Sequence, residues 1–191
     1  MAKNLEELKK GLDIRVVNIV VSSSLDHSIP LEKMAATLSN TEYNPEQFPG
    51  LVIRIKEPKT SALIFSSGNI VCTGAKSLEE VRGSINKIKE TLKKLNITIT
   101  IEPEIHIQNM VASGNIQMDL NLNTLAMKLD NTEYEPEQFP GLIYKLGGKS
   151  GAEKATFLIF SNGKIVCTGT KSEAEVYEAV HMLIDILKKT K

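Results

Sequence analysis

The spacing of apolar residues along the chain alternates between that of strands and that of helices, and the same order of elements occurs in each of two halves. A β-rich run is followed by a short helical segment, then by three strands, and then by a long helix. Runs of β-branched residues indicate the strands, and apolar residues at spacings of three and four indicate the helices. In the first half these elements are predicted at 14–22, 30–38, 51–55, 62–66, 70–73 and after Ser77.

Each long helix is predicted to begin at a capping box and to bury one face. Ser77 with Glu80, and Ser172 with Glu175, have the spacing of such a box. Apolar stripes follow at Val81, Ile85, Ile88, Leu92 and Leu95, and at Val176, Val180, Leu183 and Leu187. A stripe of this kind packs against a sheet. The pattern therefore predicts an α+β fold, with antiparallel strands and with helices segregated to one side.

The two halves are copies of one sequence. Residues 40–51 and 131–142 are identical except at one position, and 62–77 closely resembles 157–172. Such a duplication indicates two equivalent subdomains related by a pseudo-two-fold axis. The predicted organisation is an N-terminal extension at 1–13, a first repeat at 14–101 and a second repeat at 105–191. The extension is expected to be a short helix or a loose segment.

Both faces of the predicted strands are apolar. A sheet covered by helices on one side ordinarily alternates apolar and polar residues. If one set of side chains faces the helices, the alternate set forms an open face that we expect to contain few polar groups and no acids. The open-face positions are Asn18, Val20, Leu63, Phe65, Val71 and Thr73, with duplicates Asn109, Val111, Leu158, Phe160, Val166 and Thr168.

An exposed apolar face of this size is typical of a binding surface. Asparagine and threonine donors among valines suit a DNA minor groove, where A·T pairs offer only acceptors. Paired phenylalanines suit the apolar wedges that minor-groove benders insert between base steps. Two alternatives remain open at this point: a protein partner, second subunit or further helix buries the face, or the fold is an accessory module of a nucleic-acid enzyme.

Composition changes this picture little. The 191 residues carry 23 basic and 23 acidic groups, and a neutral balance argues mildly against nucleic-acid binding. Cys72 and Cys167 form no disulfide framework, which indicates an intracellular protein with inert buried thiols. The three histidines have no neighbours at metal-ligand spacing, and no phosphate-binding or nucleophile-elbow motif occurs. We expect no catalytic residue, metal or cofactor.

Several motifs together resemble the TATA-box-binding protein family. They are EYNPEQFPG, ALIFSSGNIVCTGAKS, QNMV and EYEPEQFPGLIY, and the resemblance covers about residues 14–190. It implies a pseudo-two-fold saddle, a curved antiparallel sheet of about ten strands with helices on the convex face. It also implies a general transcription factor that binds the TATA box through the minor groove, bends the DNA, and recruits transcription factor B and, indirectly, RNA polymerase. The neutral charge and short extension point to the archaeal branch, hence to the archaeal cytoplasm, whereas a eukaryotic member would lie in the nucleus. Because the apolar open face is otherwise exposed to water, a homodimer and a monomer both remain open for the free protein.

The resemblance also assigns roles by position. Phe48 with Phe65 and Phe139 with Phe160 match wedge pairs, whereas Asn18 and Asn109, beside Thr73 and Thr168, match the central hydrogen-bond donors. Val20, Val71, Val111 and Val166 match the residues on the groove floor. Arg54, Lys59 and Lys145 match phosphate-contacting cations. Glu135 and Glu137 match contacts for transcription factor B.

Overall fold

The computed structural model describes residues 4–190, which form two compact units. One unit contains the chain up to Val17 together with the chain from Asn109 onward, and the other runs from Asn18 to Gln108. The N-terminal segment therefore belongs to the same unit as most of the second repeat. Predictions for residues 1–3 and 191 lie outside the described residues.

Ten strands and five α-helices make up the described chain. In order they are α1 (Leu5–Lys9), β1 (Asp13–Ser24), α2 (Leu31–Thr37), β2 (Thr41–Glu42), β3 (Gly50–Ile55), β4 (Thr60–Phe65), β5 (Asn69–Ala75), α3 (Leu78–Lys94), β6 (His106–Asn115), α4 (Leu122–Lys128), β7 (Thr132–Glu133), β8 (Leu142–Lys145), a 3-10 helix (Gly151–Lys154), β9 (Thr156–Ile159), β10 (Lys164–Thr170) and α5 (Glu173–Thr190). Among the helices of residues 4–190, none is long and apolar enough to cross a membrane.

The strands pair in equivalent orders. The order is β2-β3-β4-β5-β1 for the strands of the first repeat and β6-β10-β9-β8-β7 for those of the second. Each pair is antiparallel, and the register repeats as well: Leu63 lies opposite Val71, as Leu158 lies opposite Val166. The predicted α+β class with antiparallel strands is confirmed.

The long helices pack on one side of the strands, α3 against β5 and α5 against β10. Their predicted starts are confirmed, because Ser77 Oγ accepts the Glu80 N–H at 3.2 Å and Ser172 Oγ accepts the Glu175 N–H at 3.2 Å. Each glutamate also reaches back. Glu80 accepts the Lys76 N–H at 2.8 Å and Glu175 accepts the Lys171 N–H at 2.8 Å, so each bond holds the residue that precedes the cap.

Four short elements were not determined by the sequence pattern. The strands β2 and β7 contain two residues each, too few to show an alternation. The 3-10 helix, Gly151–Lys154, occupies the extra residues of the second repeat. The N-terminal extension contains α1, which packs against α5. Of the two forms considered for the extension, the short helix is the one observed.

Candidate nucleic-acid interface

The open face of the unit Asn18–Gln108 consists of the side chains that alternate with its buried set. Ile19, Val21, Ile64 and Cys72 are each at most 2% exposed. The predicted open-face residues are half-buried or exposed: Asn18, Val20, Leu63, Phe65, Val71 and Thr73. The predicted assignment of side chains to the two faces is confirmed in this unit.

The other unit repeats the arrangement. Met110, Ala112, Ile159 and Cys167 are buried. Their alternates are all half-buried: Asn109, Val111, Leu158, Phe160, Val166 and Thr168. Each unit thus presents an apolar face with one asparagine and one threonine on it.

A hydrogen-bond arrangement fixes the orientation of each asparagine. Asn18 Oδ1 accepts the Gly74 N–H at 2.7 Å, and Asn18 Nδ2 lies 3.4 Å from Thr73 Oγ1. Asn109 Oδ1 accepts the Gly169 N–H at 2.8 Å, and Asn109 Nδ2 donates to Thr168 Oγ1 at 2.9 Å. A backbone N–H can only donate, so the amide oxygen is held against the strand and the amide nitrogen is placed beside the threonine.

The glycine in each arrangement is required by the backbone. Gly74 has φ +94° and Gly169 has φ +92°, a backbone conformation that residues other than glycine rarely adopt. The pairing of β5 with β1, and of β10 with β6, shifts register at this level. The irregularity turns the glycine N–H towards the asparagine. Each open face therefore carries a pre-oriented amide and a hydroxyl, which can serve as donors for acceptors in a narrow groove.

A pair of phenylalanine rings lies at one end of each open face. The centroids of Phe48 and Phe65 are 6.0 Å apart and those of Phe139 and Phe160 are 6.0 Å apart, both edge to face. Phe48 is 48% exposed and Phe139 is 46% exposed, an unusual exposure for large apolar rings. The rings support one another and are positioned to contact an apolar ligand surface.

Glycines make room for these rings. A Cβ on Gly50 would lie 2.8 Å from Phe48 Cε1, and one on Gly141 would lie 2.7 Å from Phe139 Cε1. Cβ atoms in proteins essentially never lie within 3.0 Å of such neighbours. Gly50 and Gly141 are therefore part of the ring sites, because any other residue would displace the rings. Sequence reasoning missed them, although the repeated FPG motif offered a signal.

The predicted cations occupy two kinds of position. Arg54 and Lys145 lie at the ends of β3 and β8, where each makes an ion pair with a glutamate on the neighbouring edge strand, Glu42 or Glu133. Lys59 is exposed in the turn that follows β3. The expectation of no acids on the open face is wrong. Glu42 lies opposite Val52 and Glu133 opposite Ile143, and directly opposed residues share a face.

The predicted partner-binding acids, Glu135 and Glu137, are exposed in the loop between β7 and β8. The Phe139 N–H donates to Glu135 O at 2.9 Å, which connects this loop to the ring site. The matching loop of the first repeat has Asn44 and Glu46 at these positions. The two loops therefore share a backbone design but differ in charge.

Comparison with known proteins identifies the family to which the chain belongs. The family model described as "Transcription factor TFIID (or TATA-binding protein, TBP)" matches residues 13–95 and 104–190. The chain belongs to the TATA-binding protein family. A TATA-box-binding protein of Methanocaldococcus jannaschii is 48% identical over 177 residues, 93% of this chain and 94% of that protein. One from Methanothermobacter thermautotrophicus is 51% identical over 161 residues, 84% of this chain and 87% of that protein.

A solved structure shares the fold. The structure named "Methanococcus jannaschii TBP" superposes with a TM-score of 0.85 at 47% identity, covering 93% of this chain and 99% of that one. Membership of the TATA-binding protein family makes the chain a DNA-binding transcription factor and not an enzyme. Within residues 4–190 no cluster of His, Cys, Asp and Glu is suited to a metal ion.

In this family member the register adds residues to the open faces that the sequence pattern did not supply. Val52 lies opposite Leu63, and Ile143 lies opposite Leu158. Lys164 is exposed and shares its side of β10 with Val166 and Thr168. The alternation of side chains along β3, β8 and β10 could have assigned all three residues to the open faces, because side chains two positions apart on a strand share a face.

Proposed function

We propose that both open faces contact the minor groove of a TATA box, and that the phenylalanine pairs bend the DNA by entering between base steps. The groove floor would lie against Val20, Val71, Val111 and Val166. Arg54, Lys59 and Lys145 would contact phosphates outside the groove. Transcription factor B and, through it, RNA polymerase would then be recruited to the bent promoter.

One observation carries the proposal: the duplicated asparagine arrangement on an otherwise apolar face. A minor groove displays acceptors at every A·T pair and adds a donor at G·C pairs. An amide whose oxygen is already bonded to a backbone N–H offers donors to the groove and discriminates against the guanine amino group. The apolar surroundings suit the sugar surface that lines the groove walls.

The ring sites support bending. A half-exposed phenylalanine backed by a second ring can enter a base step without ordering a flexible side chain. Minor-groove proteins use such apolar wedges to unstack and kink the duplex. Two equivalent ring sites predict two kinks in each bound duplex.

The decisive experiment is energy transfer between dyes on the two ends of a short duplex that contains TATAAA. The protein is titrated against this duplex and against a scrambled duplex of the same composition. Bending of the TATA duplex alone is the expected result. No binding to either duplex, with and without transcription factor B, would favour a protein-interaction role for the open faces.

Recruitment of transcription factor B is proposed to use the loop that carries Glu135 and Glu137. The support is the one additional acid of this loop: Glu135 stands where the first repeat has Asn44, so a basic partner is attracted more strongly to this loop than to its duplicate. We expect Glu135→Lys with Glu137→Lys to abolish ternary complex formation in a gel-shift assay while leaving the binary complex intact. The matched control is Glu46→Lys in the other loop. Equal loss in both variants would contradict the assignment.

The free protein is proposed to associate as a homodimer through its apolar faces and to reside in the archaeal cytoplasm with its promoter DNA. Removal of the two apolar faces from water favours association. Sedimentation equilibrium is expected to show a dimer that dissociates when TATA duplex is added. A protein that remains monomeric at high concentration would contradict the dimer.

A further inference from the structure

The two-residue strands β2 and β7 each carry one glutamate onto the open face. Glu42 pairs with Val52 across β2 and β3, and Glu133 pairs with Ile143 across β7 and β8. Apolar side chains make up most of the rest of each face. The placement of an acid at the same register in both units requires an explanation.

Each glutamate is bonded to the cation that lies diagonally across the strand pair. Glu42 Oε1 accepts from Arg54 Nη1, and Glu133 Oε1 accepts from Lys145 Nζ at 2.9 Å. The Arg54 hydrogen bond holds the pKa of the Glu42 carboxyl below its ordinary value, and the same bond raises the pKa of Arg54. Both groups of the Glu42–Arg54 pair are therefore ionised at neutral pH, and together they carry no net charge.

Stability does not account for these pairs. The Arg54 and Glu42 side chains are 59% and 64% exposed, and those of Lys145 and Glu133 are 56% and 66% exposed. Ion pairs so open to water contribute little to folding. The backbone nevertheless holds them in place. The Arg54 N–H donates to Asn40 O at 2.9 Å, and the Lys145 N–H donates to Asn131 O at 3.1 Å.

We propose that Glu42 and Glu133 are internal competitors for DNA phosphate, which occupy Arg54 and Lys145 until a bound duplex displaces them. The inference rests on the proposed function, in which these cations contact phosphates. A carboxylate and a phosphate oxygen present similar anionic acceptors to arginine and lysine. In the free protein the two cations are neutralised at close range. The attraction of each open face to DNA of any sequence is therefore reduced.

The opposite role is a positioning one, in which each glutamate stays bonded and orients its cation towards the phosphate. The two roles predict opposite signs. Removal of a competitor strengthens DNA binding, whereas removal of a positioning group weakens it.

The test uses the full chain with Glu42→Gln, Glu133→Gln and the double substitution. Binding to a dye-labelled TATA duplex is measured by anisotropy across a series of KCl concentrations. We expect each substitution to tighten binding roughly two- to fivefold at low salt, the range of an exposed ion pair. This gain should shrink as the KCl concentration rises, because salt screens an exposed ion pair and so weakens the competitor in the wild-type protein.

Two controls separate competition from a general change of charge. Glu46→Gln makes the same change of formal charge in the same loop region, and Glu46 has no ion pair among the described residues. It should have a clearly smaller effect. Glu42→Gln in an Arg54→Gln background should also have almost none, because the competitor acts through Arg54.

Several results would overturn the proposal. They are an equal effect of Glu46→Gln, weaker binding by Glu42→Gln, or full additivity with Arg54→Gln. Failure of the wild-type protein to bind the TATA duplex would instead contradict the proposed function on which this inference depends. Wild-type binding with unchanged glutamine variants would remove the competitor role alone.

Discussion

At the scale of single residues, the asparagines show how a side chain gains direction from its neighbours. An isolated amide can turn either end towards a ligand. Asn109 cannot, because the Gly169 N–H fixes its oxygen at 2.8 Å. The positive φ of Gly169 in turn fixes the direction of that N–H. Readout by this amide therefore depends on a backbone conformation that only glycine adopts easily.

Asn109→Ala is expected to lower the preference for the TATA duplex over a G·C-substituted duplex by ~1–3 kcal/mol, the scale of one specific base contact. Competition binding measures this preference. Asn86→Ala, on the exposed side of α3, is the matched control and should leave it unchanged. An unchanged preference in Asn109→Ala, with folding verified by urea denaturation, would refute the role of the amide.

Gly141→Ala tests whether the position of the Phe139 ring is needed for DNA bending. The new Cβ would lie 2.7 Å from Phe139 Cε1 and 2.8 Å from Leu158 Cδ1, so the ring must move. We expect a smaller bend in the end-labelled energy-transfer assay with little change in salt dependence. Gly83→Ala in α3 serves as control, since its Cβ would lie 3.4 Å from Pro58. A normal bend in Gly141→Ala would mean that the ring position is not critical.

The buried thiols predict a loss of stability at alkaline pH. Burial raises the pKa of Cys72 to about 11 and that of Cys167 to about 12. In the unfolded chain a thiol ionises nearer its ordinary pKa, so this stability is present below about pH 9 and is lost as pH rises towards the folded values. The free energy of unfolding should fall by about 1 kcal/mol per cysteine by pH 10. In urea titrations, the double variant with Cys72→Ala and Cys167→Ala should show a flatter dependence of the free energy of unfolding on pH. A fall equal to that of the wild-type protein would show that the thiols are not its cause.

At the scale of elements, the sequence pattern predicted those parts of the fold that repeat locally. The alternation of side chains along β4 and β5 was enough to assign Leu63, Phe65 and Val71 to the open face. The capping boxes predicted the starts of α3 and α5. Both signals lie within a few consecutive residues, and both were confirmed.

The features that were missed depend on register between segments that are distant in the sequence. Nothing in the dipeptide Thr41–Glu42 indicates a strand, because an alternation cannot be seen in two residues. Its glutamate reaches the open face only because β3 pairs with it at Val52. Gly50 likewise matters because Leu63 and Phe48 lie over it. Such positions need the strand pairing as well as the pattern.

The helix α1 shows how a short element can be ordered by packing. Five residues are too few for a stable isolated helix. Leu8 is only 3% exposed, Leu8 O lies 2.8 Å from His181 Nε2, and Lys9 Nζ lies 2.8 Å from Glu173 Oε1. These contacts anchor α1 to α5.

Leu8→Ala is therefore expected to lower the free energy of unfolding by roughly 2 kcal/mol, the low end for a buried leucine because a terminal helix can adjust. Leu5→Ala, at a half-buried position of α1, should cost clearly less. Urea denaturation measures both. DNA affinity should be unchanged, since α1 lies outside the open faces. Equal costs for the two variants would mean that the burial of Leu8 does not anchor the helix.

At the scale of the whole molecule, duplication and difference serve separate purposes. The features shared by both repeats are the asparagine arrangement, the ring site and the glutamate–cation pair. The features that differ are the acid at Glu135, where the first repeat has Asn44, and the docking of α1 on α5. The shared set gives each unit the same means of contacting duplex DNA. The differing set can give direction to a partner.

The neutral charge of the whole chain predicts a weak dependence of DNA binding on salt. Basic and acidic residues number 23 each. Three cations, Arg54, Lys59 and Lys145, are predicted to contact phosphates, and two of them are already paired with glutamates. Since each neutralised phosphate contributes about 0.9 to the slope of log K against log salt, we expect a slope no steeper than about −3. Anisotropy titrations with TATA duplex between low and physiological KCl provide the measurement, and a random duplex provides the reference. A slope of about −6 or steeper would show that further lysines or arginines contact the DNA and that hydrophobic contact with the groove is not the main source of affinity.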